Sequence, residues 1–569
     1  MIKIDVKLGN TILKKMTYAN DTSICEISND INGNAYNIVA YKLNNQFIHG
    51  NTIIDKDAII EAIHLNSPQG LRIYQDFVIF LLNLAVFNLF KTKKTVKVEH
   101  SISDGVYCEF VGEDTEFTEK TLEQIQNEMI ALIEKRIPIQ KETIPIDKAY
   151  DIFEKLQRFD LIRNLNFWNK RNIEVYKTDM NIDSDKHTRK NSANIYYDYY
   201  PRPLAPHTGC AKQFDFVMLK PGFILRFPTI HKCELNNKFE LPKMLFLQHQ
   251  EHDKWLEILD VQTVGELNKL ISQNKIRDFI LTEEALHEKK LATLADSIYL
   301  NKKAKFILIA GPSSSGKTTF AKRLSVQLKV NGLNPYIIGL DDYFLPRTQT
   351  PRLDNGDYDF ESIYSLDIKH LNNDLTKLLN NEEIILPRYN FITGDRELSE
   401  HKLKLKENDI LIIEGIHGLN DILTESIPHE NKVKIYISAL NQLNMDFHNR
   451  IPTTECRKIR RIARDAQYRG YSAEETLIRW TSVREGEDKN IFPYQENADF
   501  MFNSTLTYEL AILRKHVMPM LRAINYNSPV YNEAQDLIAL FEHFLDIKDE
   551  LVPNNSLLRE FTSNSIFDY

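Results

Sequence analysis

No two of the five cysteines make a Cys-x-x-Cys pair. Cys25, Cys108, Cys210, Cys233 and Cys456 are scattered along 569 residues. Such scatter argues against a disulfide framework, and free thiols in a reducing, cytoplasmic compartment are expected. Excess positive charge is also missing. A net charge of −8 excludes a surface generally coated for nucleic acid and leaves room only for a local basic patch. The most apolar run, residues 77–90, falls short of the roughly 20 residues a membrane span needs. Asn83 and Asn88 interrupt it, so it is expected to be a buried helix with no membrane contact. A leader pattern is lacking too: Ile2, Ile4, Val6 and Leu8 alternate with polar residues, the period of a strand. Neither an internal repeat nor a long low-complexity tract is visible.

What is there is a chain of ordinary globular composition, too long for one core, so three or four domains are expected. Its organising stretch is the apolar run 306–310 followed by Gly311-Pro312-Ser313-Ser314-Ser315-Gly316-Lys317-Thr318-Thr319. This is Gly-x-x-x-x-Gly-Lys-Thr. Phe320, Leu324 and Leu328 then recur four apart, the inner stripe of a helix. A glycine-rich loop between strand and helix is the context the motif requires. Gly311 and Gly316 let successive N–H groups curl around an anion, and the helix points its positive end there. Lys317 can reach the β- and γ-phosphates, and the Thr318 hydroxyl can ligate magnesium. A chance serine-rich turn would not bring strand, spacing and helix together. The stretch reads as a site for a nucleoside triphosphate.

Residues 1–66 read as a small β-rich module with a short helix near 23–28. Residues 67–182 are mixed: the apolar helix, strands at 95–100 and 106–110, and a helix over 119–136 with Leu122, Ile125, Met129 and Leu132 on one face. The stretch 183–300 reads as a connecting region. It opens with Tyr196-Tyr197-Asp198-Tyr199-Tyr200-Pro201, read as loop, and ends in helices. His207-x-x-Cys210, His231-x-Cys233 and His249-x-x-His252 match no standard zinc spacing and are expected to be bystanders. From residue 301 to about 550, apolar β-branched strands alternate with helices, which predicts a parallel sheet covered on both faces. Strands are expected at 306–310, 336–340, 410–413, 433–437 and 498–502, and residues 551–569 as a tail.

Ligands of such a sheet sit at the C-terminal strand ends. The second strand runs into Asp341-Asp342, and the third ends in Glu414-Gly415. Two carboxylates there suit one base and one magnesium partner, against the duller reading of capping residues. Arg457, Arg460, Arg461 and Arg464 fall on one helical face. A solvated charge run is the commonplace reading; beside a phosphate loop, a lid closing on phosphates is the better one.

Two resemblances follow. Val98-Glu99-His100-Ser101-Ile102-Ser103-Asp104-Gly105-Val106-Tyr107 resembles the N-terminal editing region of threonyl-tRNA synthetases, over residues 1–182. The resemblance implies a ubiquitin-like, β-grasp-type module first. That family carries His-x-x-x-His on the apolar helix and a later Cys-x-x-x-His. Here the helix reads Tyr74-Gln75-Asp76-Phe77-Val78-Ile79-Phe80, without His, so editing chemistry is not carried over. Residues 303–503 resemble the uridine kinase and phosphoribulokinase group. That resemblance implies Asp341 as the residue accepting the proton of the attacking hydroxyl, and Lys317 and Arg464 beside it in catalysis. It implies Asp359 on ribose hydroxyls, Tyr389 and Phe391 around the base, Arg461 and Arg469 on phosphates, and Thr318 with Glu414 on Mg2+. Two departures are Gly394, where uridine kinases of the group have a base-reading His, and Tyr471, in place of a further lid arginine.

The expectation is an α/β P-loop kinase domain preceded by α+β domains. It would transfer the γ-phosphoryl of ATP or GTP to the 5′-hydroxyl of a nucleoside, uridine or cytidine. The alternatives are another small hydroxyl metabolite as acceptor, or an RNA-binding, nucleotide-switched regulator. A small-molecule nucleoside and a nucleoside triphosphate are the expected partners, nucleic acid only through the N-terminal region, with a homo-oligomer left open.

Overall fold

The computed structural model describes residues 1–9, 11–31, 37–112, 118–180, 194–229, 234–236, 238–352, 356, 358–390, 392–397 and 399–568. The first unit is a five-stranded sheet in the order Thr11–Tyr18, Ile2–Leu8, Ala58–His64, Ile38–Leu43, Gln46–Ile48. Its first and last long strands pair in parallel, from Ile4 with Ala58 to Lys7 with Glu61. The alternation seen in the sequence puts Ile2, Ile4 and Val6 inward, against Ile24 and Ile27 of the helix Ile24–Ile31.

The apolar helix extends past the run that predicts it, to Pro68–Phe90. Ser67 starts it: its side chain accepts from the Gly70 N–H, with Pro68 at the first helical position. By length and composition this helix could cross a membrane, yet 72% of its apolar window is buried inside the protein. Phe77, Phe80, Leu81 and Leu82 pack there against strand residues Val96, Val98 and Phe223. It is a core helix, dressed on one side by a sheet ordered Asp215–Leu219, Gly222–Arg226, Gly105–Gly112, Lys94–Ile102.

The connecting region begins later than expected. Ile195–Asp198 is a strand, paired antiparallel with Asn172–Asp179, and Tyr196, Tyr199 and Tyr200 are buried rather than exposed on a loop. The hairpin Asp215–Leu219/Gly222–Arg226 completes the sheet on Gly105–Gly112. These pairings join residues far apart in the chain, and a local window cannot register them. Connection proper is made by three helices, Lys243–Leu259, Val264–Ser272 and Ile276–Leu300.

The C-terminal half holds a five-stranded parallel sheet ordered Asn334–Gly339, Asp409–Glu414, Phe306–Ala310, Lys432–Ser438, Phe500–Asn503. Each expected strand is present, shifted by at most two residues. Phe306–Ala310, at the centre, is buried at every position. Helices cover both faces, among them Lys317–Val330 and Ile276–Leu300 on one side and Ile368–Leu379 on the other.

The two halves are fastened together by the segment after Lys432–Ser438. The Val98 N–H donates to Phe447 O (2.8 Å), and Asn444 Nδ2 donates to Val98 O (2.8 Å). Beside them Arg158 is buried among Asp160, Asp198 and Asp446.

Candidate active site

The phosphate loop is built by close approach. A Cβ at position 311 would lie 1.9 Å from Ile437 O on the neighbouring strand, so only glycine fits. Gly316 sits at φ +86° and opens the helix Lys317–Val330, whose Phe320, Leu324 and Leu328 are wholly buried. Parallel register brings Glu414 level with Ile309 on one side and Gly339 on the other. Asp341 follows two residues later, in the turn Leu340–Tyr343. The sheet therefore delivers loop and both carboxylates to one edge.

There they line a cleft of about 750 Å³, together with Arg461, Arg464 and Arg469. The Thr318 hydroxyl donates to Glu414 (3.0 and 3.1 Å to its two oxygens). Burial pushes the Glu414 carboxyl up to about 7, against the pull of Lys317. Burial likewise raises Asp341 and Glu361, which Lys317 partly offsets. An all-oxygen pair of hydroxyl and carboxylate beside a phosphate loop fits a hard divalent cation such as Mg2+. Lys317 itself donates Nζ to Gly311 O (3.0 Å) and Pro312 O (3.3 Å), folded over the loop it would serve.

The arginine face divides. Arg457 and Arg460 are not lid residues: both are buried. Arg457 is ion-paired with Glu487 and donates to Ser313 O (3.0 Å), and Arg460 donates to Glu509 (Nε to Oε1 3.1 Å). They pin the helix Thr453–Tyr468 to the loop and to the helix beyond the last strand. Helical periodicity puts the four arginines together but cannot tell which find buried carboxylates. Arg461 donates to Ser313 Oγ (2.8 Å). Buried Asp465 gathers the rest: Arg461 at 3.2 Å, Arg469 at 3.3 Å and Arg464 at 3.7 Å. One aspartate thus holds three cations over the phosphate loop.

The acceptor-side residues stand further off. Asp359 accepts from the N–H groups of Glu361 (3.2 Å) and Ser362 (3.1 Å), shaping a turn outside the cleft lining. Tyr389 is buried, its ring packed on Phe344, which does line the cleft. Phe391 lies outside the described residues. Gly394, at φ +71°, is covered by Arg347: a Cβ there would meet the guanidinium at 2.6 Å. Tyr471 lines the cleft with the Arg479 guanidinium 4.2 Å from its ring centroid, so Arg479 brings a cation to this corner. His207 and Cys210 are neighbours (Nε2 to Sγ 3.5 Å), His249 and His252 are buried, and His231 and Cys233 lie outside the described residues. Among the described residues no three His, Cys, Asp or Glu side chains are grouped for a metal ion.

Sequence reasoning missed the tail. Residues 551–568 fold back onto the phosphate loop: Leu557 packs against Gly316, and Glu560 lines the cleft. Glu560 Oε2 accepts from Thr319 Oγ1 (2.7 Å) and from the Thr319 N–H (3.3 Å). Glu487 similarly accepts from the Ser313 N–H (2.8 Å). Carboxylates thus occupy N–H donors of the kind that cradle phosphates. Glu560→Gln is expected to tighten ATP binding by about tenfold, the worth of one charged hydrogen bond. Calorimetric titration of both proteins checks it; equal affinities would mean that the tail does not compete with nucleotide. Nothing in the sequence signals this contact, since 240 residues separate its partners.

This fold and cleft define a phosphate-loop kinase domain, and comparison with known proteins gives its relatives. Residues 306–511 match the Phosphoribulokinase / Uridine kinase family. Uridine kinase of Ureaplasma parvum is 27% identical over 194 residues, 34% of this chain and 84% of that one. Uridine-cytidine kinase B of Dictyostelium discoideum is 26% identical over 192 residues, 34% and 71% of the two chains. The N-terminal region matches threonine–tRNA ligases instead. That of Syntrophotalea carbinolica is 29% identical over 170 residues, 29% of this chain. The chain spans only 26% of that ligase's length. A region similar to threonine–tRNA ligases is thus joined in one chain to a region that matches the Phosphoribulokinase / Uridine kinase family.

Proposed function

We propose that this protein is a nucleoside kinase that transfers the γ-phosphoryl of ATP or GTP to the 5′-hydroxyl of a ribonucleoside, uridine or cytidine foremost. The observation that carries this reading is the meeting, in one cleft, of the phosphate loop, Asp341 and the arginines gathered by Asp465. The acceptor oxygen bonds to the γ-phosphorus as the bridging bond to the β-phosphate breaks, and nucleoside diphosphate leaves. Asp341 takes the hydroxyl proton; its raised basicity suits that task. Lys317 swings from the loop carbonyls to the phosphates, and Arg461, Arg464 and Arg469 oppose the charge on the transferring group. Thr318 and Glu414 would hold Mg2+, which supplies neutralising charge to the phosphate oxygens. Transfer from labelled ATP to a panel of nucleosides tests the reading.

A second reading keeps the chemistry and changes the acceptor to another small hydroxyl compound, one bearing an acidic group. Arg347 favours it, since its guanidinium lines the cleft over Gly394, where the resemblance implies a base-reading His. Under either reading Arg347→Ala is expected to raise the acceptor KM about tenfold or more, by loss of a charge-assisted bond, with the ATP KM unchanged. An unchanged acceptor KM would remove Arg347 from recognition. A panel in which a hydroxy acid is phosphorylated and nucleosides are not selects the second reading.

A further inference from the structure

A second cavity, of about 610 Å³, lies at the junction of the two halves, away from the loop's phosphate face. His100 comes to it from the synthetase-like region, His249 from the connecting helix Lys243–Leu259, and Arg450, Thr453 and Arg457 from the kinase half. Its volume is that of a small-ligand site.

Three arginines and three carboxylates line it, and one of the arginines has no partner among the described residues. Three carboxylates line the cavity and each is engaged. Asp488 accepts from Arg484 (3.1 Å), Glu240 from Lys238 (2.8 Å), and Glu496 from the N–H groups of Met244 (3.0 Å) and Leu245 (3.3 Å). Arg457 and Arg484 are both paired with Glu487. That leaves Arg450, whose guanidinium makes no ion pair or side-chain hydrogen bond with any described residue. Burial, with Arg202 nearby, pushes it down to about 10, and Asp76 offsets this only in part. Arg450 is half-buried, and an anion bound beside it would neutralise its charge.

Two further donors converge on the same space. The helix Thr453–Tyr468 begins at Pro452 without a side-chain cap, and its first residues, Thr453 and Thr454, line the cavity. His100 is 2% exposed, stacks on His249 with centroids 3.8 Å apart, and has no hydrogen bond at either ring nitrogen among the described residues. Its Nδ1 lies 3.9 Å from a carboxylate oxygen of Asp253. A guanidinium, a helix N-terminus and an imidazole form a phosphate-type recognition set.

We infer that this junction cavity binds a phosphate-bearing metabolite, held by Arg450, the N–H groups of Thr453 and Thr454, and His100. Arg457 lines the same cavity and donates to Ser313 O of the phosphate loop, so an occupant touches the kinase half one residue from its active site.

The test uses inorganic phosphate on the full chain, by calorimetric titration of wild type and Arg450→Met. Phosphate held at the phosphate loop is untouched by that substitution, which separates the two sites and keeps the outcome independent of the kinase reading. Affinity at least tenfold weaker in Arg450→Met is expected. Equal affinities, or no binding to wild type, overturn the inference. Should Arg450→Met not fold, nitrogen NMR of labelled histidine in wild type decides. Phosphate must shift the His100 ring signals, and unmoved signals overturn the proposal.

Discussion

Asp341→Asn is expected to lower kcat by about two to four orders of magnitude, the usual worth of a positioned general base. Asparagine keeps the size and the cleft but cannot accept the proton. The affinity for ATP should stay nearly constant, because in the proposed reading the phosphates would rest on the loop, Lys317 and the arginines that line the cleft. A pH profile adds a sharper criterion. Burial raises the Asp341 carboxyl above the ordinary aspartate range, with Lys317 and Arg469 pulling it back. The base works only when ionised, so wild-type kcat/KM should fall as pH drops through that raised value. In the asparagine variant this acid limb should vanish from the residual rate. Near-wild-type turnover would remove Asp341 from proton transfer.

Arg158→Leu should destabilise the protein by about 3–5 kcal/mol, the cost of breaking a buried ion pair from one side. Arg158 donates to Asp160 (3.0 Å), Asp198 (2.7 Å) and Asp446 (3.0 Å), all essentially inaccessible to water. Burial alone would raise these carboxyls. His448 and Arg158 hold Asp198 down to about 2, whereas Asp446, less well compensated, rises to about 6. Without the guanidinium, three carboxylates remain in a dry junction with His448 and neutral donors such as Tyr196, Asn449 and the Phe447 N–H to face them. Asp160 and Asp198 belong to the N-terminal region and Asp446 to the kinase half, so the loss should be felt on both sides. Urea unfolding followed by separate probes in each half should show both midpoints falling together. A shift confined to the N-terminal probe would mean that the cluster does not couple the halves. Arg158→Lys should cost less, keeping the charge while losing the fork.

Much of the kinase half was legible in the sequence because its logic is local. Buried parallel strands are short apolar runs, and the structure brings residues just past them, Lys317, Thr318, Asp341 and Glu414, into one cleft. Where long-range partners decide, sequence reading failed. Arg457 and Arg461 lie four apart on one helix, but only the second faces the cleft, because Glu487 captures the first. The tyrosine-rich stretch looks like a loop until Asn172–Asp179 supplies a partner for it. Glu560 has no local signature, and its role rests wholly on the tail meeting Thr319. Asp359 and Tyr389 were proposed from a resemblance, and they shape the rim of the cleft rather than its lining.

The central claim is phosphoryl transfer to a nucleoside, and it is tested most directly with γ-labelled ATP, Mg2+ and a panel of ribonucleosides, products separated by chromatography. The account predicts label in a nucleoside 5′-monophosphate, uridine or cytidine first, and its loss in Asp341→Asn. ATP bound by the wild-type protein with no nucleoside labelled at any pH between 6 and 9 would contradict it.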